Sequence, residues 1–316
     1  MSKIDIHNFK RRLELIEQLL RRQKLPRKEL SKIWQFRDQC FADGLGMPRV
    51  VKYLASLKSL HKLTPWNVQR ANKRQIIAIQ AKIERSEWSG WTKHDYKLAL
   101  RKYLAYCGRS DLAALVRLPK VHGYKLPEEL LDQEDIQALL DVAGDEQYRA
   151  FLYCLYESGC RIGELLSLQR KHIRYDAQGI ILTVDGKTGM RRVRLLESAP
   201  DLDVWISCRS LKPDQAIFPN TYRAYTKHLR TLAIRAGIEK RVYPHLFRHS
   251  RATYLASYLT EAQLCSYMGW TIGSAMPRIY VHLAGADLDA ALARVPQLPR
   301  LAQQHIATCA APGQNR

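Results

Sequence analysis

The sequence predicts a mainly α-helical chain in two parts: an all-helical front domain and an α+β back domain carrying a small antiparallel sheet. Three observations predict it. Apolar residues recur at three- and four-residue spacing through most of the chain. Runs of β-branched residues bounded by turn formers are confined to positions 172–195. Charge is loaded onto the front: residues 1–125 hold 28 basic and 10 acidic side chains, leaving 23 and 20 for the rest. At 316 residues, both parts are long enough to bury cores of their own.

The elements follow in order. Phe9, Leu13, Ile16, Leu19 and Leu20 mark a helix within residues 5–25, and a second fits Lys28–Phe41, stopped by Gly44 and Gly46. Pro48 opens a third, with Val50, Val51, Leu54, Leu57 and Leu60 on one side and Arg49, Lys52 and Lys58 on the other. A fourth fits Asn67–Glu84 and a fifth Lys93–Cys107, with Lys93, Lys97, Arg101 and Lys102 on its outer side. The helical domain is expected over residues 1–120. Residues 121–127 lie within a stretch of prolines, glycine and basic residues that reads as a linker. A second domain is expected over 128–286. It begins with a helix near Asp132, acidic in its first turn, followed by a mostly apolar helix at Gln147–Ser158. After helical Leu165–Leu168, strands at His172–Asp176, Ile180–Val184 and Val193–Leu195 are separated by turns at 177–179 and 185–189, with Lys187 at the second hairpin tip. Helices resume at Asp201–Arg209 and Tyr222–Ala236, and residues 287–316 form a tail.

The net charge of +21 and its asymmetry point to a polyanionic partner, most simply nucleic acid, gripped largely by the front of the chain. The seven cysteines include no C-x-x-C pair and read as reduced thiols, neither a disulfide framework nor a zinc site. No apolar run reaches membrane-spanning length and no apolar signal core opens the chain, so a soluble cytoplasmic protein with no membrane partner is expected.

The stretch from Pro244 to Tyr280 carries the chemistry. Pro244 suits a first helical position, and His245 and Arg248, three apart, project from one helical face, with Tyr280 downstream. A proton acceptor, a fixed guanidinium and a phenol are what phosphoryl transfer to a protein nucleophile needs. The full set, in order, is Arg161 in RIGE, Lys187 in GKTG, His245 and Arg248 in HLFRH, Trp270 in MGW and Tyr280 in RIY. In that order and spacing the chain resembles the tyrosine recombinases, also called the phage integrase family. The pattern MGWTIGSAMPRIYVHL and the upstream SEWSGWTKHDYK look most like the archaeal, Xer-like branch, as in integrases of archaeal mobile elements.

The resemblance implies a helical, SAM-like DNA-clamping domain followed by a catalytic domain that cuts and rejoins double-stranded DNA. It implies that Tyr280 attacks a phosphate and holds a 3′-phosphotyrosine, freeing a 5′-hydroxyl. Arg161 and Arg248 would clamp the non-bridging oxygens, Lys187 would protonate the departing 5′-oxygen, and His245 would assist proton transfer at the tyrosine. Trp270 stands where many members carry a second histidine; its indole can donate a hydrogen bond but cannot shuttle protons. Glu164 matches an acidic supporting position, while His249 and His282 read as packing or supporting residues rather than catalysts. The phosphotyrosine conserves the phosphodiester's energy, so neither metal nor nucleotide is called for; no G-x-x-x-x-G-K-[ST] loop is present. The resemblance also implies a homotetrameric synapse on DNA at the nucleoid. Alternative readings are a type IB topoisomerase-like enzyme, or a DNA-binding remnant that no longer cuts. Gly273 and Pro277, between Trp270 and Tyr280, suggest a flexible link that leaves the tyrosine poorly placed until DNA and a neighbour bind.

Overall fold

The computed structural model describes residues 5–64, 66–119, 129–186 and 188–283. Lys187, the expected linker 121–127 and the expected tail 287–316 fall outside the described residues. The chain divides into two compact units, Met1–Leu126 and Pro127–Arg316.

The first unit is helical: α1 (Phe9–Arg22), α2 (Arg27–Ala42), α3 (Met47–Leu63), α4 (Lys73–Arg85), α5 (Gly90–Tyr106) and the short α6 (Ser110–Ala114). Helix α3 packs on α1, α2 and α5, and its Leu54, Leu57 and Leu60 are buried at helical spacing. One carboxylate is sealed into this core: Glu29 accepts the Val68 N–H at 3.0 Å and the Tyr103 hydroxyl at 2.9 Å. Helix α4 starts later than the expected Asn67. Asn72 is the better cap, its side chain and that of Gln75 closing a reciprocal capping box, while Asn67 turns its side chain on the Gln69 N–H. Two of the four basic residues expected on the outer side of α5 are turned to other work. Lys97 is buried and bonds Glu84 Oε1 at 2.5 Å, and Lys93 reaches the Glu84 carbonyl at 2.8 Å, because α4 ends beside them.

The second unit opens with α7 (Gln133–Asp141), capped reciprocally by Asp132 and Asp135, and α8 (Glu146–Ser158). Helix α8 is central, as its apolar girth predicts. After α9 (Ile162–Leu166) come β1 (Ile173–Asp176), β2 (Gly179–Gly186) and β3 (Gly189–Leu195), an antiparallel sheet in the order β1-β2-β3. The strand β3 starts four residues before the expected Val193. Pairing of Gly186 with Gly189 makes the hairpin loop two residues long, and that tight turn carries the ladder out to its tip. The helices α10 (Ala199–Ser207), α11 (Tyr222–Arg235), α12 (Pro244–Ala256), α13 (Glu261–Met268) and α14 (Met276–Leu283) complete it. Helix α8 packs on α7, α10, α12 and β3. Its buried Glu157 accepts from the backbone N–H groups of Leu196, Glu197 and Ser198 and from the Ser198 hydroxyl, which pins the turn leaving the sheet.

Candidate active site

Three chain breaks in the second unit meet at one place. Helix α8 ends on Gly159 in the left-handed region (φ 56°), and α13 ends on Gly269 (φ 63°). The two-residue hairpin tip after Gly186 supplies the third, and Thr188 donates its hydroxyl to the Gly269 carbonyl at 3.1 Å. Glycine is required at the first two: a Cβ on Gly159 would lie 2.8 Å from Met268 Sδ, and one on Gly269 2.8 Å from Arg191 Nη1.

Arg161 caps α9 and is held by Glu164. One carboxylate oxygen accepts the Arg161 backbone N–H at 3.0 Å and the other accepts from its Nη1 at 2.8 Å. Burial pushes the Glu164 carboxyl up, but Arg191 and Arg161 more than offset this and hold it below the usual carboxylate range.

Arg248 comes from the first turns of α12, where Pro244 occupies the start as expected. It is 4% exposed, donating Nη1 to the Gly159 carbonyl at 2.6 Å and Nη2 to the Met268 carbonyl at 2.7 Å. Its guanidinium carbon lies 5.4 Å from the centre of the Trp270 ring. Burial first, and then the Arg161 charge, lower its pKa to about 10, so it stays cationic at neutral pH.

Trp270 stacks on Tyr280, with ring centres 5.0 Å apart and planes 15° from parallel. Tyr280, on α14, is 1% exposed, and its hydroxyl lies 2.7 Å from His249 Nδ1. Burial, then the charges of His245 and Arg248, lower the His249 pKa to about 4; the ring is neutral at physiological pH, so Nδ1 can accept a hydrogen bond from the phenol.

The structure therefore brings together Arg161, Glu164, Arg248, Trp270 and Tyr280. His245 is exposed one helical turn before His249, their ring centres 6.3 Å apart, and His249, expected to pack or support rather than catalyse, has Nδ1 within 2.7 Å of the phenol oxygen. Both imidazoles of HLFRH stand four residues apart on one helical face, so spacing alone could place either near the phenol. Lys187 lies outside the described residues, though its neighbours Gly186 and Thr188 root the hairpin at this site. Of the basic residues on β3, Arg192 is exposed, Arg194 pairs with Asp176, and Arg191 is turned inward onto Glu164.

Comparison with known proteins points the same way. The chain is 27% identical over 279 residues to the tyrosine recombinase XerD of Vibrio cholerae, a match covering 77% of this chain and 88% of that protein. It is 31% identical over 183 residues to the tyrosine recombinase XerC of Myxococcus xanthus, covering 52% of this chain and 59% of that one. These relatives are bacterial and lend no support to an archaeal branch. Two DNA complexes share the fold. The XerH site-specific recombinase on palindromic difH substrate, post-cleavage, matches with TM-score 0.62 and 18% identity over 93% of this chain and 97% of that one. The lambda integrase bound to DNA matches with TM-score 0.63 and 12% identity over 82% and 97%. Residues 129–286, half of the 316-residue chain, match the model of the Phage integrase family, from the start of the second unit through Arg161 to Tyr280, and to that family this chain belongs.

Proposed function

We propose that the chain is a site-specific recombinase that cuts and rejoins double-stranded DNA through a phosphotyrosine, with Tyr280 as nucleophile. The observation that carries this reading is the cluster of two guanidinium groups, Arg161 just after the α8 break and Arg248 on α12, with Arg248 lying over Trp270, which stacks on Tyr280. The phenol oxygen attacks phosphorus, the bond to the 5′-oxygen breaks, and the strand's 3′ side is left on the enzyme. Arg161 and Arg248 carry the charge that develops on the non-bridging oxygens, each contributing on the order of 10²–10³ in rate. Lys187, at the hairpin tip, gives its proton to the departing 5′-oxygen. His245 assists proton transfer, His249 holds the phenol before reaction, and Trp270 orients it. Rejoining runs the same steps backwards, with a 5′-hydroxyl as attacking group.

The strongly basic first unit grips the duplex through phosphates, and four copies assemble the synapse on nucleoid DNA. No described helix is long and apolar enough to cross a membrane.

A nicked suicide duplex, whose 5′ product diffuses away after cleavage, tests the nucleophile. The unaltered chain is expected to give a denaturant-resistant protein–DNA adduct and Tyr280→Phe none. An undiminished adduct in the variant would move the assignment to another tyrosine.

A further inference from the structure

Arg191 lies on β3 on the same strand face as Val193 and Leu195, the face that β2 and β3 turn to the core. A charged side chain at such a position is costly unless it is fully engaged. Its side chain is 9% exposed and reaches α9, α13 and the turn between α8 and α9. Nη2 donates to Glu164 Oε2 at 2.8 Å, beside the Cys160 sulfur at 3.5 Å, and Nε donates to the Tyr267 carbonyl at 3.0 Å. Glu164 is thus shared between two guanidinium groups, since its other oxygen holds Arg161. Glycines clear the space: a Cβ on Gly186 would lie 3.0 Å from Arg191 Nη1, and one on Gly269 2.8 Å from the same nitrogen. Nη1 itself is buried with no hydrogen-bond acceptor among the described residues. A guanidinium kept in place at that cost, between RIGE and the turn before Trp270, has a task beyond packing.

We infer that Arg191 is a positioning residue for the phosphate clamp. Through Glu164 it fixes the aim of Arg161, and through the Tyr267 carbonyl it holds the end of α13, whose Met268 carbonyl in turn orients Arg248. One side chain therefore sets the spacing of the two clamping arginines. The inference rests on the recombinase reading of the site and assigns Arg191 no contact with DNA.

The test is single-turnover cleavage of the suicide duplex by Arg191→Met, Arg191→Lys, Glu164→Gln and the double variant Arg191→Met/Glu164→Gln, alongside DNA affinity and circular dichroism. A displacement of the clamp by about an ångström slows cleavage by about 10²-fold. Arg191→Met is expected to show that loss with DNA affinity within about twofold of the unaltered chain. Arg191→Lys, which keeps the charge on Glu164 but cannot also reach the Tyr267 carbonyl, falls between and serves as the test if Arg191→Met does not fold. The double variant is expected to be little slower than the slower single variant, because both act on Arg161 through one carboxylate. Losses that multiply in full, or a cleavage rate for the folded Arg191 variant within about threefold of the unaltered chain, overturn the inference. So does full rescue of the variant by a 5′-bridging sulfur substrate, which would make Arg191 the proton donor. Failure of the unaltered chain to form any adduct is a different result: it removes the site reading, and this inference with it.

Discussion

Arg248 directs two of its five N–H donors at backbone carbonyls, of Gly159 and Met268, so its fork is oriented before any phosphate arrives and three donors are left for oxygens. Lysine at this position keeps the charge but cannot span both carbonyls. Arg248→Lys is expected to lose about 10²–10³-fold in cleavage rate, read as adduct formation per unit time. That Arg248 stands near the start of a helix, on one face with His245, was legible in the string because Pro244 and the three-residue spacing are side-chain patterns. Its anchors were not, because a carbonyl leaves no trace in residue identity. His249 makes a second residue-scale prediction. Its folded pKa, about 4, lies below the ordinary imidazole value, so the unfolded chain binds the proton first as pH falls. The stability this neutral ring supports is full above about pH 6.5 and is lost as pH falls towards 4. The melting temperature is expected to drop across that window, and His249→Gln, which cannot titrate, to flatten that part of the curve.

At the scale of elements, chain turns place the functional side chains. Gly159, Gly269 and the Gly186–Gly189 hairpin bring α8, α13 and the sheet within reach of one another. Gly269→Ala combines a left-handed backbone with a Cβ 2.8 Å from the Arg191 guanidinium; it is expected to cost about 1–2 kcal/mol from the backbone alone, measured by urea unfolding. It should also slow cleavage, since Arg191 cannot shift without leaving Glu164. Helix α8 and the sheet were legible because apolar periodicity and β-branched runs are local signals. The start of α4 was misjudged by six residues, because Asn67 and Asn72 are both plausible caps and only Asn72 has Gln75 to complete its box. The inward turn of Arg191 was illegible for a different reason. It depends on register in β3 and on room left by two glycines distant in sequence.

At the scale of the molecule, the uneven charge governs how the chain meets DNA. With 28 basic and 10 acidic side chains in residues 1–125, binding through six to ten phosphates is expected to weaken by about 10³–10⁵-fold between about 50 and 200 mM salt, as fluorescence anisotropy would show. Composition alone made that partner legible, but it overcounted the available cations: Lys97 is buried against Glu84, and Lys93 is drawn to the same residue. The two compact units divide between Leu126 and Pro127, beside the prolines and glycine read as a linker. A last consequence comes from the way Tyr280 is covered, with an indole stacked on its ring and an imidazole at its hydroxyl. A phenol oxygen kept out of water does not meet duplexes that merely brush past, so contact of Tyr280 with a DNA backbone is expected to need its exposure. Reagents that nitrate accessible phenols should accordingly mark Tyr258, 67% exposed, well ahead of Tyr280 in the protein alone, and the order should narrow once DNA draws the hidden ring out.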